Sequence, residues 1–167
     1  MCGFVIKIHA QLLPGVAKMS IYIVRHAEKE SGNDPGLTVA GRNRAGDLMR
    51  TLKHRHIGHI YVSQYRRSQM TADSIRIQLG ADTIHYKADT TGIDLLLKIR
   101  AYRDVGHSIL VIGHSNTIPQ IIRMLGVINF PRENIADHEF DNLYLVRYRN
   151  HKAYLTRYKY GMPSKPL

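Results

Sequence analysis

Cysteine is almost absent. Cys2 stands alone, so the chain can form no internal disulfide and has to be held together by its core. A lone thiol fits a reducing compartment, and a cytoplasmic protein is expected. No apolar run approaches the roughly 20 residues that a membrane-spanning helix needs, so no membrane partner is expected. There is no internal repeat, low-complexity block or linker-like stretch, which argues against several domains or a disordered chain. Acidic residues stop at Asp141, while Arg147, Arg149, Lys152, Arg157, Lys159 and Lys165 follow, and the formal net charge is +11. Such a balance suits either nucleic acid or a protein that handles phosphate. No zinc-finger or RNP-type motif accompanies it, and charge alone does not call for nucleic acid.

What is present is an ordinary globular composition. Hydrophobic residues make up 44% and charged residues 22% of 167 positions, enough chain for one domain with a proper core. Residues 1–18 lack the charged start, continuous apolar centre and small-residue cleavage site of a signal peptide. They are expected to form an N-terminal extension outside the core fold, the alternative being a genuine strand or arm. Residues 19–167 are then the single domain.

Short apolar runs alternate with helical patterns. Ile21–Val24, Ile60–Val62 and Ser108–Ile112 read as buried strands. Thr38 is placed to cap a helix whose apolar face is Ala45, Leu48, Met49 and Leu52. A second helix runs through Ala72, Ile75 and Leu79 to a stop at Gly80. A third carries Leu95, Leu96 and Ile99 and is expected to end near Gly106. A fourth starts at Pro119 and carries Ile121, Ile122 and Leu125. The end of the chain alternates with period two and turns at Asn150-His151, the pattern of an antiparallel hairpin. The tyrosines of that hairpin read as cross-strand packing pairs. The expected fold is a three-layer α/β/α arrangement, with a mainly parallel central sheet and an antiparallel C-terminal hairpin at its edge.

Each predicted strand runs into a polar burst. The first is Arg25-His26, a guanidinium beside an imidazole at the end of a buried strand, costly unless something anionic receives it. The second, "SQYRRSQMTA", contains Ser63, Arg66 and Arg67. The third, "GHSNT", contains His114, Ser115 and Asn116. Open α/β sheets bind ligands beyond the carboxyl ends of their strands. If the strands are parallel neighbours, the bursts meet in a pocket of two arginines and two histidines. Arginine forks suit tetrahedral oxyanions, and histidine can act as a nucleophile near neutral pH.

These residues carry a family resemblance. "VRHAEK", "LTVAGRNRA", "SQYRRSQMTA" and "VIGHSNT", in that order between Val24 and Thr117, resemble the histidine phosphatase superfamily, which includes phosphoglycerate mutases, acid phosphatases and small phosphohistidine phosphatases. The Ser-x-x-x-Arg-x-x-x-Thr-Ala pattern falls on Ser63, Arg67, Thr71 and Ala72, and selects Arg67 over Arg66. Two departures stand out: Ser68 where alanine is usual, and Ala27 where many members have glycine. The resemblance implies a phosphoglycerate mutase-like fold. It also implies a catalytic set of His26 as nucleophile with Arg25, Arg67 and His114 around the phosphoryl oxygens, and no metal or cofactor. Ser115 and Asn116 either contact phosphate or cap the next helix.

The general acid is the weak point. Many members supply a carboxylate between the second strand and the second histidine. Here Asp89 and, close to His26, Glu28 are the candidates; Asp94 sits where a helix start favours a carboxylate anyway. A weak or absent acid favours substrates with good leaving groups, such as phosphohistidine or an anhydride, and points away from a mutase. The expected partner is a phosphorylated small molecule or a phosphoprotein. "HRHIGH" offers His54, His56 and His59, but no cysteine or carboxylate completes a metal set, and a basic helix end explains it better.

Overall fold

A computed structural model describes residues 18–102, 104 and 107–164. The expectation for an N-terminal extension falls on residues outside this set, apart from Lys18, which begins the first strand. The elements are β1 (Lys18–Arg25), α1 (Val39–Leu52), β2 (Ile57–Ser63), α2 (Arg66–Leu79), β3 (Asp82–Tyr86), α3 (Ile93–Ala101), β4 (Ser108–Gly113), α4 (Ile118–Met124), β5 (Asn142–Arg149) and β6 (Lys152–Lys159). They form one six-stranded sheet in the order β3-β2-β4-β1-β5-β6. β3, β2, β4 and β1 run parallel, and β5 and β6 are antiparallel.

Both faces of the sheet are apolar, which is why its central strands read as continuous hydrophobic runs. On one face Ile21, Ile23, Tyr61, Ile109 and Val111 pack with Leu95, Leu96 and Ile99 of α3 and Ile121 and Ile122 of α4. On the other, Val24, Ile60, Val62, Leu110 and Ile112 pack with Leu48 and Leu52 of α1 and Ala72 and Ile75 of α2. Each fully buried aliphatic chain contributes about 1.5–3 kcal/mol, so the strands that carry the polar bursts are also the best anchored.

Register brings the bursts together. Ile112 of β4 pairs with both Val24 and Val62, and Arg25 pairs with Gly113. Three parallel neighbours therefore end at one level, and Arg25-His26, Ser63 and His114 leave the sheet side by side.

The helix signals act as expected at their starts. Thr38 Oγ1 accepts from the Gly41 amide, and Gly80 closes α2 in the left-handed conformation with φ 59°. The C-terminal hairpin turns at Asn150 and His151, both at positive φ (47° and 62°), as a two-residue turn requires.

Three features depart from the sequence reading: a strand it did not contain, the end of α3 and the place of His59. β3 carries only Ile84 and Tyr86 inward from a short polar edge, too weak a pattern to read. α3 ends at Ala101 rather than near Gly106. Beyond it Asp104 is buried against β2, taking hydrogen bonds from His59 Nδ1 and the Tyr61 hydroxyl, which also places His59 in a strand rather than at a helix end. The hairpin lies at the edge as expected, with β5 paired to β1 and β6 outermost.

Candidate active site

Arg25 and His26 end β1. His26 is 3% exposed, and its amide donates to Gly113 O at 3.0 Å, tying it to the end of β4. Its Nδ1 lies 2.8 Å from Ala27 O. A carbonyl can only accept, so Nδ1 carries the proton and Nε2 keeps its lone pair while the ring is neutral. Burial pushes the pKa of His26 down to about 3; the Ala27 hydrogen bond acts against this, and His114, Arg25 and Arg67 reinforce it. The imidazole is thus neutral near pH 7.

The backbone after His26 is clamped. Thr71 Oγ1 accepts from the Ala27 amide at 3.0 Å and donates to Arg67 O at 2.7 Å. The N-terminus of α1 holds Glu28 O through the Thr38 amide at 3.0 Å. Gly41 makes the approach possible, because a Cβ there would lie 2.1 Å from Glu28 O.

Arg25 is buried against a backbone cradle. Its Nη1 donates to Ala136 O and Asp137 O at 3.0 Å and to Glu139 O at 3.3 Å, and its Cζ lies 4.1 Å from the centre of the Phe140 ring. Arg67, in the first turn of α2, lies 4.3 Å over the Tyr65 ring and 3.7 Å from Asp34 Oδ1. In both arginines Nε is buried with no acceptor. Buried unpaired donors cost roughly 1–3 kcal/mol each, and an arriving anion removes that cost.

His114 follows β4, with its ring centroid 5.2 Å from that of His26. Arg67 Nη2 approaches His114 Nδ1 at 3.4 Å, and arginine only donates, so Nδ1 accepts. The proton then sits on Nε2 and is donated to Ser63 Oγ at 2.9 Å, and Ser63 Oγ donates to Ser68 Oγ at 2.8 Å. Ser68, the departure from the usual alanine, thus extends a hydroxyl chain behind the imidazole. Burial, then Arg67 and Arg25, push the pKa of His114 down to about 4.

The remaining candidates are placed elsewhere. Glu28 accepts from Arg44 Nε at 2.9 Å on both carboxylate oxygens and from Nη2 at 2.8 Å, a bidentate pair that holds β1 to α1. Asp89 Oδ1 takes the Thr91 hydroxyl and the amides of Thr91 and Gly92, both at 2.7 Å, in the turn before α3. The Thr91 hydroxyl first, then those amides, lower its pKa, so Asp89 is a poor proton donor. Asp94 Oδ2 accepts from the Lys87 amide at 2.7 Å. Ser115 and Asn116 stand next to His114, but Thr117 holds the N-cap position of α4, and its hydroxyl accepts from the His114 amide at 3.0 Å. Arg66 is exposed, its amide donating to Asp34 Oδ1 at 3.0 Å. Among the described residues no group of three or more His, Cys, Asp or Glu side chains is arranged to hold a metal ion.

Sequence reasoning missed the 136–140 segment. It wraps Arg25 with three carbonyls and one ring from over 110 residues away, and backbone oxygens leave no sequence signature.

Residues 21–91 match the model of the histidine phosphatase superfamily (branch 1), which takes in His26 and Arg67; His114 lies beyond the matched span. No curated protein matches the chain. Among solved structures, the protein histidine phosphatase SixA complexed with tungstate is 18% identical with a TM-score of 0.62, covering 84% of this chain and 97% of its own. A phosphoglycerate mutase from Bacillus anthracis str. Sterne is 17% identical with a TM-score of 0.62, covering 84% and 92%. A mycobacterial glucosyl-3-phosphoglycerate phosphatase is 13% identical with a TM-score of 0.59, covering 85% and 98%. These likenesses bear out the expected phosphoglycerate mutase-like fold, and over residues 21–91 the chain is similar to the histidine phosphatase superfamily (branch 1).

Proposed function

We propose that this protein is a phosphatase that hydrolyses phosphomonoesters or phosphohistidine through a covalent phosphohistidine on His26. The observation that carries the reading is the fixed tautomer of His26. Its proton is committed to Ala27 O, and burial holds the ring neutral, so Nε2 is an available nucleophile among two arginines and a second histidine. Nε2 attacks phosphorus as the bond to the leaving group breaks, P–O in a phosphomonoester and P–N in phosphohistidine. Arg25 and Arg67 hold the equatorial oxygens and stabilise the charge spread over them. An arriving dianion raises the proton affinity of His114, whose Nδ1 then changes from acceptor to donor. Water attacks the phosphoryl group, the N–P bond breaks, and phosphate leaves with His26 restored.

The state of the candidate acids supports a phosphatase over a mutase and a good leaving group over a poor one. Asp89 and Glu28, the candidate acids, are both engaged in structural hydrogen bonds. Charge neutralisation comes from arginine and histidine, so the reaction as read requires neither metal nor cofactor. The histidine phosphatase complexed with tungstate, a tetrahedral oxyanion, shares the fold. The test is turnover of p-nitrophenyl phosphate by wild type and His26→Ala. Loss of turnover in the variant is expected; equal, negligible turnover by both would instead indicate a non-catalytic module that binds phosphorylated or acidic partners.

A further inference from the structure

Beside the catalytic residues lies a cavity of about 470 Å³ that the phosphoryl chemistry does not use. Phe140 belongs to both. Its ring lies 4.1 Å from Arg25 Cζ and 6.1 Å from the His26 ring, and it also lines the cavity. Glu28, two residues after the nucleophile, lines it as well. The cavity runs along α1 past Ala40, Asn43, Arg44 and Asp47 and is bordered by Met162 and Ser164.

That wall is built rather than draped. Ser164 Oγ accepts from the amides of Phe140 at 2.9 Å and Asp141 at 3.2 Å, and the Ser164 amide donates to Asp141 Oδ2 at 3.1 Å. Gly161 is packed so closely on α1 that a Cβ would lie 2.7 Å from Asp47 Oδ2.

The charge of the lining is unusual for this chain. Against a net +11, the cavity holds two carboxylates, Glu28 and Asp47, one arginine, Arg44, already paired with Glu28, and one histidine, His138. Asp47 is paired with Arg50. An anionic group entering here would meet no uncommitted arginine or lysine, and His138 alone as a further nitrogen donor of the basic residues, whereas Phe140 and Met162 offer apolar surface.

We propose that this cavity is the leaving-group subsite, and that it selects phosphomonoesters whose leaving group is an uncharged ring over those whose leaving group carries a carboxylate. The proposal rests on the phosphatase reading. Arg25 and Arg67 recognise the phosphoryl group, while Phe140 and Met162 take the ring.

The experiment compares kcat/KM on 1-naphthyl phosphate, 3-phosphoglycerate and acetyl phosphate for wild type, His26→Ala, Ala40→Trp and Asn43→Arg. Wild type is expected to favour 1-naphthyl phosphate over 3-phosphoglycerate by at least about tenfold. Ala40→Trp fills the cavity and should lower the naphthyl-to-acetyl ratio by a similar factor. Asn43→Arg adds a cation and should shift the naphthyl-to-glycerate ratio toward 3-phosphoglycerate. If both ratios stay unchanged while His26→Ala abolishes turnover, the subsite is overturned and the phosphatase reading stands. Equal losses on all substrates in Ala40→Trp also overturn it. Should circular dichroism show that Ala40→Trp does not fold, Asn43→Arg, an exposed helix position, decides alone. Turnover that survives His26→Ala, or no turnover by wild type, overturns both readings.

Discussion

The Nδ1 of His26 stands 2.8 Å from the carbonyl oxygen of Ala27, one residue further along the chain. The distance is set by a loop clamped between Thr71 and α1, so the tautomer of His26 is a property of the fold and exists before any ligand arrives.

Stability should fall with acid for a definable reason. His26 and His114 have folded pKa values of about 3 and about 4, below the ordinary 6.5. Their contribution is present above about pH 6.5 and is lost as pH falls toward 4, because the unfolded chain takes up the protons first. Each histidine adds a slope on the order of 1 kcal/mol per pH unit in that window. Thermal melts from pH 7.5 to 4.5 should show a shallower decline for His26→Asn and His114→Asn than for wild type. Parallel curves would contradict the buried, neutral state.

The two arginines should separate by assay. Arg67→Ala removes a phosphate donor whose other contacts are distant, 3.4 Å to His114 and 3.7 Å to Asp34. It should reduce kcat/KM by roughly 10²–10³ with little change in Tm. Arg25→Ala also empties a cradle of three carbonyls, so activity and Tm should both drop. A large Tm loss in Arg67→Ala alone would reverse the assignment.

Neither Asp89 nor Glu28 should behave as the general acid. Asp89→Asn should change kcat on phenyl phosphate less than about threefold, well short of the roughly 10²-fold expected of an acid. Glu28→Gln should act through stability, costing about 1–3 kcal/mol once the buried Arg44 loses its bidentate partner. An Asp89→Asn defect confined to poor leaving groups would restore that residue as the acid.

Gly41→Ala tests the link between α1 and the catalytic loop. The added methyl meets backbone, not a movable side chain, and should cost about 1–3 kcal/mol while displacing Glu28 and lowering kcat. Wild-type melting and turnover would show that the loop is not held there.

Much of this was legible from sequence because the chemistry sits at strand ends. Arg25, His26, Ser63 and His114 each follow an apolar run, and a parallel sheet forces such ends together. Arg67 emerged over Arg66 only through the resemblance, whose pattern falls on Ser63, Arg67 and Thr71. What stayed hidden is non-local or made of backbone. The carbonyls of Ala136, Asp137 and Glu139 have no side-chain signature, and nothing in the sequence around Phe140 ties it to Arg25. The Ser68 departure read as a mild irregularity, yet it accepts the Ser63 proton and completes the chain that orients His114. β3 escaped notice because an edge strand needs only two buried side chains, Ile84 and Tyr86.

The central claim is a covalent phosphoryl group on His26, and rapid acid-free quenching with ³²P-labelled substrate tests it most directly. The account predicts a labelled protein whose phosphate is lost in acid and retained in base, mapped to the peptide containing His26 and missing in His26→Ala. Turnover without any labelled intermediate, or label of equal intensity in His26→Ala, would contradict it.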